Sequence, residues 1–250
     1  MTAKVVVITG ASSGMGAATA KEMARRGWRV AVNYSKNTPQ AEKIARECGE
    51  AITVQGDVTK DADCRRLAKT VLDKWGRIDG LVNNAGTTKF VKHADLEGLS
   101  AEDFQSIFAL NLIAPFQMIR ACTPSLKANH GAIVNVSSVA HLLGTGSSIA
   151  YAASKAALNT MSFSLARALG PEIRVNVVCP GFVRTPWQEA ALGTQGALEA
   201  EQRFAAAAPL KAAAGAEDVA EAIAWLLEGA RRVTGEVLYV DAGMHIASPR

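Results

Sequence analysis

The chain is poor in cysteine, and the four it has, Cys48, Cys64, Cys122 and Cys179, show neither C-x-x-C spacing nor clustering. Reduced thiols in a cytoplasmic protein are expected. Among the few histidines, His93, His130 and His245 fall at no metal-ligand spacing, so no metal site is expected. No Pro/Gly/Ser-rich linker and no run of like charge divides the 250 residues, which predicts one domain over 1–250. The net charge of +4 is spread without a basic block, which argues against a nucleic-acid surface. No charged-then-apolar segment precedes the strand-like run at Val5, so no signal segment is expected. No apolar run approaches the ~20 residues that span a bilayer, so no membrane contact is expected. Low-complexity segments and internal repeats are also lacking.

What is present alternates in type. Lys4 to Gly10 is a short β-branched run ending in glycine, the pattern of a buried strand. The next residues read as a turn opening a helix that closes at Gly27. Gly10, Gly14 and Gly16 form G-x-x-x-G-x-G, a turn whose backbone bends sharply and lets a pyrophosphate approach the helix N-terminus. It is not a P-loop, because no Lys follows the last glycine. Arg29 to Tyr34 is a second strand. In a dinucleotide fold its end meets the adenosine ribose, where Asp or Glu would hold a free 2′-hydroxyl. This chain has Asn33-Tyr34-Ser35-Lys36-Asn37 and no carboxylate. Ser35 offers a hydrogen bond and Lys36 a positive charge, so NADP(H) is preferred over NAD(H).

A helix over Thr38 to Gly49 and a strand at Ala51 to Gly56 follow, then Asp57-Val58-Thr59. Asp57 either accepts from an adenine amino group or caps the next helix, Ala62 to Trp75. Ile78 to Gly86 is a fourth strand. This rhythm implies an α/β doubly wound Rossmann-type domain with a seven-stranded parallel sheet, binding ligands beyond the carboxyl ends of its strands. Leu99 to Lys127 has helical spacing, broken where Pro115 deprives the Asn111 carbonyl of its partner. A kink and a freed carbonyl able to hold water are expected there. Gly131 to Ser138 is a fifth strand, delivering Ser137 and Ser138 to the ligand side. Ile173 to Pro186 gives a sixth strand with a Pro-Gly turn, and Gly235 to Gly243 the seventh.

Tyr151 and Lys155 lie four apart in an Ala-rich helix, on one face. A phenol with a reference pKa of about 10 is a poor acid or base near neutrality. An ammonium about 4 Å away supplies a Coulomb energy of about 4 kcal/mol at a protein-like dielectric, enough to lower that pKa toward neutrality. The pair therefore has the makings of a proton donor. A loop from Ser138 returns the chain to face it.

In order, T-G-A-S-S-G-M-G, D-V-T, N-N-A-G, the lone Asn111, S-x12-Y-x3-K and P-G resemble the short-chain dehydrogenase/reductase family, along nearly the whole length. The closest likeness is to 3-oxoacyl-carrier-protein reductases and related ketone or sugar-alcohol enzymes. The resemblance implies a catalytic tetrad of Asn111, Ser138, Tyr151 and Lys155. Tyr151 would be general acid or base, Ser138 would hold the substrate oxygen, and Lys155 would lower the Tyr151 pKa and grip the nicotinamide ribose. The Asn111 carbonyl would hold a water joining Lys155 to solvent. It also implies that the turn from Gly10 through Ser12, Ser13, Gly14 and Met15 to Gly16 carries the pyrophosphate. Asp57-Val58 would meet the adenine, Asn84-Ala85-Gly86 the adenosine-side ribose and backbone, and Pro180, Gly181, Val183 and Thr185 the nicotinamide.

His141 departs from many relatives, which have Gly there, and is read either as a pocket residue or as a packed surface histidine. Trp187 to Ala208 is expected to form a lid, within a substrate loop at about 186–210. Relatives pack the helices at Leu99–Lys127 and Ala150–Leu169 across a two-fold axis, and a homotetramer is expected. The function expected is interconversion of a small-molecule ketone and a secondary alcohol. The alternatives are a non-catalytic NADP(H)-binding regulatory protein, which has no need of Tyr151 and Lys155, and an epimerase or dehydratase of a longer branch.

Overall fold

β1 (Val5–Ile8) is four β-branched or isoleucine residues, all fully buried. Such a strand belongs in the middle of a parallel sheet covered on both faces. The computed structural model describes residues 3–247 and places it there. The elements that follow are α1 (Gly14–Arg25), β2 (Arg29–Tyr34), α2 (Thr38–Cys48), β3 (Ala51–Gln55), α3 (Asp61–Trp75) and β4 (Gly80–Asn83). After a long connection come α4 (Ala101–Phe108), a π-turn (Ala109–Ile113), α5 (Ala114–Ala128) and β5 (Ala132–Val136). Then come α6 (Ala140–Leu143), α7 (Ile149–Leu169), β6 (Arg174–Pro180), α8 (Pro186–Ala207), α9 (Ala216–Glu228) and β7 (Val237–Val240).

All seven strands are parallel, in the order β3-β2-β1-β4-β5-β6-β7. This is the doubly wound Rossmann-type sheet that the alternation of elements predicts. Side chains alternate across it. Val6, Ile8, Val30 and Val32 join a core with Met23 of α1 and Ile223 of α9. Val5, Val7 and Ile133 join the opposite core with Leu67 of α3 and Met118 of α5. The chain leaves β1 toward β2 and β3, then returns to β4 on the other side. A crevice therefore opens past the carboxyl ends of β1 and β4, where such sheets bind ligands.

Two segments differ from expectation. The stretch after Ser138 is not a plain loop but holds the turn of helix α6, ended by Gly144 at φ +61°. The break near Asn111 is a π-turn, in which the Ala114 N–H bonds the Ala109 carbonyl five residues back. One widened turn absorbs the missing Pro115 donor.

That continuity bears on the membrane question. Helix Ala101–Ala128 is long and apolar enough to cross a bilayer by length and composition, with mean hydropathy 1.2 over its most apolar 18 residues. The expected break at Pro115 conceals this in the sequence. Met118, Ile119, Cys122 and Leu126 are buried on the sheet, while Ile113 and Phe116 stay 49% and 44% exposed. Packing on the sheet accounts for the buried face.

Candidate active site

The glycine turn is built by its backbone. Gly10 and Gly14 have φ of +62° and +54°, the left-handed region that L side chains avoid. A Cβ on Gly16 would sit 2.5 Å from the Gly10 carbonyl and 2.5 Å from Asn84 Nδ2. Ser13 precedes α1 in extended conformation with no side-chain cap, and no acidic residue occupies the first turn. The leading N–H groups of α1 thus face the crevice with the positive end of the helix dipole. These features fit the pyrophosphate of a dinucleotide.

Long-range hydrogen bonds hold the turn in place. Thr9 Oγ1 accepts from the Asn84 and Ala85 N–H groups at 3.0 and 3.1 Å, and Asn84 Nδ2 donates to the Thr9 and Gly10 carbonyls. Asn33 Oδ1 accepts from Gly10 N at 3.3 Å, while its Nδ2 donates to the Val54 and Gly56 carbonyls. Both ends of the Asn33 amide and the Nδ2 of Asn84 are therefore committed to the backbone. Both side chains brace the cleft wall.

The cleft has a volume of about 390 Å³, and most of the expected cofactor residues line it. They are Gly10, Ser12, Ser13, Gly14, Met15, Asn33, Tyr34, Ser35, Lys36, Asp57, Val58, Asn84, Ala85, Gly86, Tyr151, Lys155 and Thr185. Gly16 lies behind the wall. Pro180, Gly181 and Val183 instead line a second chamber of about 680 Å³, which shares Tyr151, Thr185 and Trp187 with the cleft. Asp57 does not cap α3, whose N-cap is Lys60. Its carboxylate instead accepts from the Thr59 N–H and hydroxyl at 3.1 and 2.7 Å. Sequence reasoning missed Gly56 and Leu110 on the cleft wall. Adjacency to Asp57 and to Asn111 in sequence was their only signal.

The four catalytic candidates converge, with roles that differ in detail from expectation. Asn111 sits in the π-turn, and its side chain is engaged on every side. Oδ1 accepts from Thr87 N at 2.9 Å, and Nδ2 donates to the Thr87 carbonyl and to Ser154 Oγ at 3.0 Å each. It ties the segment after β4 to α7. Ser138, past the end of β5, accepts from Ala140 N at 3.2 Å and lines the second chamber together with Tyr151, whose pKa it draws down. Tyr151 stands in the first turn of α7, whose N-cap Ser148 accepts from its N–H at 3.2 Å. Lys155 is buried, and its Nζ donates to the Val136 carbonyl at 2.8 Å.

The charge balance corrects the expectation that Lys155 lowers the Tyr151 pKa. Burial pushes the Tyr151 phenol up to about 12, against Ser138, which pulls it down. Burial also pushes Lys155 down to about 8. The Nζ lies 5.7 Å from the Tyr151 ring centroid and is bonded to a carbonyl. Desolvation of the charged form is the largest cause of each shift. Tyr151 is a neutral phenol at physiological pH.

His141 is absent from the walls of both cavities. It lies behind Ser138, with Nδ1 2.7 Å from the Ser138 carbonyl. A carbonyl only accepts, so Nδ1 carries the proton and Nε2 accepts from the Tyr239 hydroxyl at 3.2 Å. Tyr239 stacks on His245 at 4.2 Å, and His245 Nδ1 bonds the buried Asp241 carboxylate. His141 is thus a positioning residue for the Ser138 peptide. His141→Ala is expected to lower kcat about tenfold with KM nearly unchanged. His141→Asn, which keeps a donor near the Nδ1 position, should restore most of the loss. Equal loss in both variants would show mere packing.

A family model described as Enoyl-(Acyl carrier protein) reductase matches residues 10–245. The chain belongs to the short-chain dehydrogenase/reductase family. It is 39% identical over 245 residues to a protein assigned as ketoacyl reductase 2 of the granaticin polyketide synthase of Streptomyces violaceoruber, covering 98% of this chain and 97% of the relative. It is 36% identical over 252 residues to a 3-oxoacyl-[acyl-carrier-protein] reductase of Synechocystis, covering 98% of each. Among solved structures, one described as a short-chain dehydrogenase/reductase from Burkholderia xenovorans superposes with TM-score 0.91 at 38% identity, over 99% of this chain and 100% of that one. As a member of this family, the protein is an oxidoreductase acting on CH–OH/C=O groups. The non-catalytic alternative is not favoured, since these relatives are enzymes.

Proposed function

We propose that the chain reduces a small-molecule ketone to a secondary alcohol with NADP(H), Tyr151 donating the proton to the oxygen. The observation that carries this reading is the place of Tyr151. It is a neutral phenol at the junction of the dinucleotide cleft and the second chamber, which Ser138 also lines. The protonated phenol is the form a reductase needs.

The Gly10–Gly16 turn would hold the pyrophosphate, Asp57 and Val58 the adenine, and Lys155 the nicotinamide ribose. A bound reduced nicotinamide supplies the hydride. Ser138 would hold the substrate oxygen against Tyr151 and steady the charge that develops there. Thr185, on both walls, would position the nicotinamide end, with Pro180, Gly181 and Val183 behind it on the chamber side. Lid closure falls to α8, which is broken at Gly193 with φ +70° and ψ 163°.

Cofactor preference rests on the end of β2. Ser35 and Lys36 are exposed on the cleft wall, and Lys36 has no carboxylate partner among the described residues. Lys36→Ala is expected to raise the KM for NADPH about tenfold and leave that for NADH within about twofold. Initial rates with a panel of ketones and both cofactors test the whole reading. A wild-type kcat/KM ratio that favours NADH would overturn the cofactor assignment, and no nicotinamide oxidation with any ketone would overturn the reaction.

We also read the protein as a cytoplasmic homotetramer of single-domain protomers. The α4–α5 helix leaves the side chains of Ile113 and Phe116 exposed. β7 closes the sheet as an edge strand with its residues half-buried. Both are surfaces that association would cover. Light scattering at micromolar concentration should give about four times the 26.2 kDa chain mass. A monomer would refute the assembly.

A further inference from the structure

The second chamber is wider than catalysis on a short chain requires, and its walls are aromatic. Phe90 and Trp187 pack with ring centroids 5.8 Å apart, and Trp187 lies 6.2 Å from the Tyr151 ring. Phe182 and Phe204 form a second pair at 6.4 Å. Leu143, Leu192 and Met244 join these walls. Phe90 and Trp187 are each 40% exposed, so apolar ring surface lies uncovered beside the catalytic phenol.

Ser137, Ser138, Tyr151 and Thr185 supply polar groups at the catalytic end, and Thr145 and Gln188 add two uncharged ones elsewhere on the wall. Lys92, at the exposed rim, is the one charged residue among those lining the chamber, and neither Arg nor a carboxylate takes part. Arg184, nearby in sequence, faces Glu201 at 3.1 Å in a different cavity. Ser147 is spent on Thr88 at 2.7 Å. A phosphate or carboxylate tail would find no cation cluster here.

We infer that the substrate is a rigid, largely apolar ketone of two or more fused rings, taken as a free small molecule and clamped by Phe90 and Trp187. This rests on the reductase reading above. A cavity of about 680 Å³ is of a size that encloses a whole ligand of this kind. Aromatic walls favour ring faces and edges beyond what area alone provides. A fused-ring ligand also has no rotamers to lose on binding, whereas a linear chain of equal carbon number gives up the freedom of every bond it orders.

The test compares 2-decalone, a fused bicyclic ketone, with 2-decanone, its linear counterpart of equal carbon number. NADPH oxidation is followed with both, and binding of each to the cofactor-free enzyme is measured by calorimetry. The expected result is a kcat/KM for 2-decalone at least about tenfold higher, with binding stronger by a similar factor. In Phe90→Ala that ratio should fall to about one. Because Phe90 is at the surface and outside the dinucleotide cleft, loss of folding or of cofactor is not expected to intervene. Equal or better use of 2-decanone, or a ratio unmoved in Phe90→Ala, overturns the inference. Selective binding of 2-decalone without turnover of any ketone would sink the reductase reading and leave the chamber assignment standing. Weak binding of both, with turnover of short linear ketones, would do the reverse.

Discussion

Tyr151→Phe is expected to lower reductive kcat/KM at least about a hundredfold while leaving NADPH affinity within about twofold. The substitution removes one oxygen and keeps the ring. The packing of that ring against Trp187, at 6.2 Å, should survive, as should the N-cap bond from Ser148 to the residue 151 N–H. Ser138 keeps its bond to Ala140 N. The loss should therefore appear in kcat, because the proton donor acts only as the carbonyl oxygen gains charge. Single-turnover rates at saturating NADPH, with Kd for NADPH from fluorescence titration, separate the two quantities. A variant with near-normal rate would remove Tyr151 from the chemistry and with it the junction geometry as the basis of the proposal.

Lys155→Met should also cost about a hundredfold or more, and it should change the pH profile. Lys155, pushed down to about 8 by burial, loses its charge as pH rises through that value. Tyr151, pushed up to about 12, stays protonated throughout the working range. For the reductive direction, kcat/KM reports groups of the free enzyme, so the wild type should fall as pH rises through about 8. The falling limb belongs to the lysine and not to the phenol. In Lys155→Met it should disappear, leaving a low, flat profile between pH 6 and 10. If the variant keeps the limb, another group carries it, and Lys155 is only a structural donor to the Val136 carbonyl.

These two predictions draw on different kinds of information. The spacing of Tyr151 and Lys155, and the arrival of Ser138 from β5, follow from helix and strand periodicity. So does the glycine turn, whose pattern the chain writes within seven residues. The strand at Val5 to Ile8 declares itself by composition, because only a sheet covered on both faces hides four such residues. The π-turn was half legible. Pro115 announced a disturbance, but whether the chain bends or widens depends on what Asn111 and Met118 pack against.

Sequence alone thus determined the seven strands, the position of the phosphate turn and which polar residues reach the carboxyl ends of the strands, because each is a local or periodic property. Tertiary structure decided the rest. It spent the Asn33 amide and the Asn84 Nδ2 on backbone groups far away in sequence, placed His141 behind Ser138 and brought Phe90 beside Trp187. It also reversed the expected pKa shift of Tyr151. A charge on a helix face is felt according to how much water surrounds it, and that is set by walls contributed from the whole chain.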